Sequence, residues 1–95
     1  MPIQEQTIYR PLDQAGVSAS YTGTAGTTTA MPAGTQAVRV VCTTDAFVRV
    51  GANAATTASV FMPAYQVEYF AANSGDTVSA IQVASAGTVY AQPLN

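Results

Sequence analysis

From Gln36 to the C-terminus the chain alternates apolar and polar positions in short runs. In Ala37 to Thr43, the residues Val38, Val40 and Cys42 share one side, while Ala37, Arg39, Val41 and Thr43 share the other. A two-residue period is that of a β-strand. The next run repeats it, with Ala46, Val48 and Val50 set against Phe47 and Arg49. Further strand-like runs fall at Ser59 to Met62, Gln66 to Ala71, Thr77 to Ala84 and Thr88 to Gln92. Turn signals separate them: Gly51-Ala52-Asn53, Asn73-Ser74-Gly75-Asp76 and Ala86-Gly87, at the spacing of a sandwich or barrel. Pro63 has no N–H for a ladder, so Met62-Pro63-Ala64 marks a bulge or corner. Leucine, a mainstay of amphipathic helices, occurs only at Leu12 and Leu94. The pattern predicts an all-β fold: a small antiparallel β-sandwich or jelly-roll-like barrel with an extended N-terminal arm.

Matching the two valine-rich faces predicts a hairpin through Thr43-Thr44-Asp45. It sets Cys42 across from Ala46, Val40 from Val48 and Val38 from Val50, so that Arg39 faces Arg49. Like charges opposed on a sheet repel unless an acceptor lies between them. Within the chain that acceptor is Glu68, or Asp45 or Asp76 in turns; another subunit or a ligand is the alternative. Arg39, Arg49 and Glu68 are therefore the candidate ion-pair or interface residues. A second hairpin is expected between Thr77–Ala84 and Thr88–Gln92, with either a bulge or two buried faces where the alternation breaks at Ile81 and Val83.

Ahead of this region the pattern is lost. Residues 22–35, TGTAGTTTAMPAGT, have neither apolar period and read as a linker. Thr7-Ile8-Tyr9-Arg10-Pro11-Leu12 reads as a short strand ending near Pro11, and Val17 to Tyr21 as another. The expected division is an arm over residues 1–35 and a sandwich domain over 36–95.

Charge then changes the picture. Only 8% of the 95 residues are charged, and the net charge is −2 with no histidine. So weak a field argues against nucleic acid as a partner, because that contact needs clustered Lys and Arg. A surface this poor in charge suits a subunit covered by its neighbours, so a homo-oligomer, a trimer among the options, is expected. The lone Cys42 falls on the apolar face and reads as core. Without histidine, lysine or tryptophan, and with its five carboxylates unclustered, the chain offers no catalytic set, and no enzyme, metal or cofactor is expected. The glycine-rich Gly23 to Thr28 lacks the lysine of a phosphate loop. No apolar run approaches the ~20 residues of a membrane helix, so no membrane partner is expected. The N-terminus lacks the charged and apolar regions of a signal peptide, which makes the cytoplasm the expected place of synthesis. The five tyrosines and three phenylalanines fit an interface or a sugar platform as well as a core.

The stretches VRVVCTTDAFVRVGA, VFMPAYQVEYFAANSGDTVSAIQV and SAGTVYAQPL together resemble small all-β virion proteins of tailed bacteriophages, over about two thirds of the chain. The resemblance implies a capsid decoration protein, either a cement or a head-spike-base subunit. Its partners would be the major capsid protein or other virion proteins, and it would be made in the host cytoplasm and located in the virion. It brings no catalytic residues with it. Two other readings stay open: a tail or head-to-tail connector subunit, and a carbohydrate- or receptor-binding β-sandwich module.

Overall fold

The computed structural model describes residues 16–95. They form eight strands: β1 (Val17–Tyr21), β2 (Gly26–Thr27), β3 (Ala37–Cys42), β4 (Ala46–Gly51), β5 (Val60–Met62), β6 (Glu68–Ala71), β7 (Thr77–Gln82) and β8 (Gly87–Leu94). The predicted strand at residues 7–12 lies outside the described residues.

The strands make two four-stranded antiparallel sheets, β1-β8-β3-β6 and β2-β7-β4-β5. The first strand pairs with the eighth, the second with the seventh, the third with the sixth and the fourth with the fifth. The chain is thus one long antiparallel ribbon, curled so that β3 also meets β8 and β4 also meets β7. That is the jelly-roll connection of a β-sandwich. The inward positions of both sheets meet as Val38, Val40, Cys42, Val89 and Ala91 from one, and Ala46, Val48, Met62, Val78 and Ala80 from the other. The alternate positions face outward, as the two-residue period requires, and they carry Phe47, Phe61 and Ile81 as well as Arg39 and Gln92.

Both expected hairpins are corrected. β3 and β4 lie in different sheets, as do β7 and β8, and β4–β5 is the one consecutive pair of described strands that shares a sheet. The polar groups of the Thr43–Asp45 connection bond to other elements instead of closing a hairpin turn. Thr43 N–H donates to Thr88 O (3.0 Å), Thr88 N–H to Thr43 Oγ1 (2.9 Å), and Val83 N–H to Asp45 O (3.2 Å). Alternation identified the inward faces of β3 and β4, but apolar faces are satisfied equally by lying side by side or by stacking across a core. Here they stack.

The sandwich also begins earlier than the division at residue 35 places it, because β1 is an edge of one sheet and β2 an edge of the other. Residues 28–36 are pinned as well. Thr28 and Val78 exchange hydrogen bonds, Thr28 N–H to Val78 O (2.9 Å) and Val78 N–H to Thr28 Oγ1 (3.0 Å). Met31 is buried, its N–H donating to Asp76 O (2.7 Å) and its carbonyl accepting from Gly75 N–H (2.9 Å). Gly75, at φ 90°, supplies the left-handed residue of that β6–β7 turn.

The two sides of the sandwich differ. On one side β1 and β2 come so close that a Cβ on Gly26 would overlap the Ser20 carbonyl oxygen, and Thr22 N–H closes the turn on Thr24 O (3.1 Å). That side is sealed. On the other, β5 and β6 are the edges of different sheets, and among the described residues no further strand pairs with either.

Candidate interaction surface

Among the described residues, five of the seven exposed large apolar side chains lie along the β5–β6 segment. Val60, Phe61, Tyr65, Val67 and Tyr69 all lie on β5, β6 or the connection between them, with Tyr65 74% and Tyr69 61% exposed. Glu68 is the one charged residue among positions 57–71. Edge strands are ordinarily protected by lysine, proline or charge against pairing with other chains. Here the protection is slight.

Three features shape this surface. On the outer face of β2-β7-β4-β5, Ile81, Phe47 and Phe61 form a cross-strand row, the two phenylalanine rings meeting edge-on at 6.0 Å and 63°. Between β4, β5 and β6 opens a cavity of about 510 Å³, lined by Val48, Val50, Val60 and Phe70, with Arg49 also in its wall. The third is Tyr65, held at φ 59° in the left-handed region. A bulky side chain there costs of order 1–2 kcal/mol. Backbone bonds fix it: Tyr65 N–H donates to Cys42 O (2.7 Å), and the Asp45 carboxylate accepts from Ala64 N–H (2.8 Å).

A strained aromatic side chain in solvent gains nothing for the isolated fold. Tyr65→Gly is accordingly expected to leave the melting temperature unchanged or raise it by several degrees, while weakening whatever association uses this side. Thermal melts paired with sedimentation check both halves.

The candidate residues fall differently from the sequence expectation. Arg39 does not face Arg49. It lies on the outer face of the β1-β8-β3-β6 sheet between Tyr69 and Gln92, while Arg49 lies in the other sheet opposite Ser79. Glu68 is opposite Val40, one residue out of phase with Arg39, so alternation points the two to opposite sides of the strand pair. The bridging acceptor is therefore unnecessary, since the repulsion it was to relieve does not arise. A groove of about 300 Å³ beside Arg39 is bordered by Gly16, Ser18, Tyr90 and Gln92.

Sequence reasoning missed Val60, Val67 and the conformation of Tyr65, and it offered Phe61 only as one of the three phenylalanines. Val60 and Phe61 look like core residues from composition, and only their place on an edge exposes them. The Pro63–Gln66 turn puts Tyr65 where glycine or asparagine is usual, so no residue type announces it.

Cys42 is fully buried, and burial pushes its thiol up from 9.0 to about 11, against a smaller lowering by the Tyr21 hydrogen bond. A thiol-specific reagent at pH 8 is expected to leave the native protein unlabelled and to label it once in urea. The unfolded chain releases this proton near pH 9.0 and the folded chain near 11, so the stability it contributes is full below pH 9 and is lost as pH rises to about 11. Among the described residues no group of three or more acidic, cysteine or histidine side chains could hold a metal ion. No family model matches the chain, and no curated protein or solved structure matches it.

Proposed function

We propose that this chain is a non-enzymatic structural subunit of a virus particle, a decoration, cement or spike-base protein that seats on the outer capsid shell of a tailed bacteriophage and stabilises it. The observation that carries the reading is the β5–β6 side: Val60, Phe61, Tyr65, Val67 and Tyr69 are all exposed there beside a cavity of about 510 Å³, and Glu68 is the one charged residue among positions 57–71. Exposed apolar surface gathered in this way marks protein–protein contact. The sequence resemblance supports the particular setting, and the jelly-roll connection is one that viral shell proteins use.

The test is retention and heat release. Purified particles should carry the protein in stoichiometric amount, and particles stripped of it should release DNA at a lower temperature. If stripped particles are equally heat-stable and native mass spectrometry finds only a monomer, the reading falls. Antibody label spread over the shell supports decoration, whereas label at one vertex supports the tail or connector alternative.

A second reading draws on Tyr69 and Tyr90, which share the outer face of the β1-β8-β3-β6 sheet with Arg39 and Gln92. Such a face suits stacking on a sugar ring, the glycan- or receptor-binding alternative. A glycan array without binding removes it.

A further inference from the structure

Among the described residues β6 is hydrogen-bonded only to β3, and the pairing fixes which way its backbone points. Ala72 N–H donates to Gln36 O (3.1 Å), so Gln36 and Ala72 are a hydrogen-bonded pair one step beyond the Ala37–Ala71 register. In an antiparallel ladder bonded and non-bonded pairs alternate. Val38–Phe70 and Val40–Glu68 are then bonded pairs, while Tyr69 and Ala71 turn their N–H and C=O away from β3, toward the open side. A strand laid against them would point every second side chain to the inner face of its sheet, toward the cavity lined by Phe70, Val48, Val50 and Val60. Free backbone groups beside a pocket for alternate side chains are the two requirements of strand addition.

We infer that the strand added at β6 comes from residues 1–15 of a second copy of this chain. Fifteen residues precede Gly16, enough to reach about 50 Å when extended. The described residues begin just before β1, the edge opposite β6, and Val17 stands in the same cross-strand row as Ala91, Val40 and Glu68. A donor at one edge and an acceptor at the other is the arrangement of head-to-tail association, in which identical copies close into a ring or extend as a filament. Its own β6 lies three strand spacings away, about 14 Å across the sheet, and coverage from the same chain is read out separately by the exchange experiment below.

Residues 7–10, Thr-Ile-Tyr-Arg, are strand formers up to Pro11, which lacks the N–H to continue a ladder. Charges match as well. The segment carries Glu5, Arg10 and Asp13, and the acceptor side presents Glu68 on β6, Arg39 across from Tyr69, and Arg49 at the cavity. This goes beyond the particle role, requiring only that copies meet, so particle retention and self-association can fail independently.

Amide hydrogen exchange on the intact chain, at low and high protein concentration, reads the inference directly. Tyr69 and Ala71 amides should slow by on the order of tenfold or more as the oligomer forms, and should return to fast exchange on dilution. Ile8→Pro in the full chain should abolish both the slowing and the oligomer without lowering the monomer's melting temperature. As a second check, Arg10→Glu should weaken association and Arg10→Glu with Glu68→Arg should restore it. Slow exchange of these amides in the dilute monomer means the chain covers its own edge, slow exchange that survives Ile8→Pro means another element does, and fast exchange at every concentration means none does. Any of the three overturns the inference.

Discussion

Tyr21→Ala is expected to bring the protein close to unfolding at room temperature. Tyr21 is the largest fully buried side chain, and its ring ends in a hydroxyl that contacts Thr44 O (2.8 Å) and Thr44 Oγ1 (2.8 Å) and accepts from Thr44 N–H (3.2 Å). Thr44 Oγ1 reaches on to Ser85 O (3.0 Å). One side chain thus ties the end of β1 to the β3–β4 and β7–β8 connections, the two arches that make a jelly roll out of a ribbon. Losing an aromatic core residue costs about 3–5 kcal/mol, against a total of ~5–15 for a domain of this kind. Tyr21→Phe keeps the packing and removes only the hydroxyl, for about 1–3 kcal/mol. Urea denaturation of the three proteins should give midpoints in the order wild type, phenylalanine, alanine. Equal midpoints for wild type and Tyr21→Phe would remove the hydroxyl from the account.

Gly26→Ala should also be clearly destabilising, although it adds a single methyl group. The obstacle at Gly26 is the Ser20 backbone carbonyl and the Tyr21 Cα, which cannot rotate aside as a flexible side chain could. Relief requires β2 to move off β1, which opens the sealed side and disturbs the pairing of Gly26 with Ala80. Overpacking of this kind costs about 1–3 kcal/mol, a fall of roughly 5–20 °C in melting temperature. Gly23→Ala is the control, because its Cβ would meet nothing closer than Gln82 Nε2 at 3.9 Å. It should melt within a degree or two of wild type, and equal losses at both positions would mean that glycine flexibility, not the close approach, is what matters.

The strands were legible in the sequence where the two-residue period was clean. β1, β3 and β4 match the runs at Val17–Tyr21, Ala37–Thr43 and Ala46–Gly51 within a residue, and of the inward set Val38, Val40, Cys42, Ala46 and Val48 are buried and Val50 half-buried. What alternation does not encode is which strand lies beside which. It fixes faces only, so the hairpin that set Arg39 against Arg49 satisfied the pattern as well as the arch that separates them. The linker reading of residues 22–35 failed for another reason. β2 is two residues long, too short for any period, and Thr28 and Met31 are held by hydrogen bonds to β7 and the β6–β7 turn rather than by a repeating pattern. Low charge pointed to covered surface without saying where. The site became visible only when β5 and β6 fell at the edges of opposite sheets, turning apolar residues that belong in a core outward along one side.

Sedimentation equilibrium of the intact protein across a wide concentration range, beside Tyr69→Lys, tests most directly whether that open side exists to be covered. A lysine on the outer face of an edge strand is the common natural block to further pairing, and at this exposed position the fold should tolerate it. The account predicts a wild-type mass that climbs with concentration to a defined oligomer, and a Tyr69→Lys protein that melts at the same temperature but stays monomeric. A wild-type chain that remains a single soluble monomer at the highest concentration reached, alone and with particles added, would contradict it.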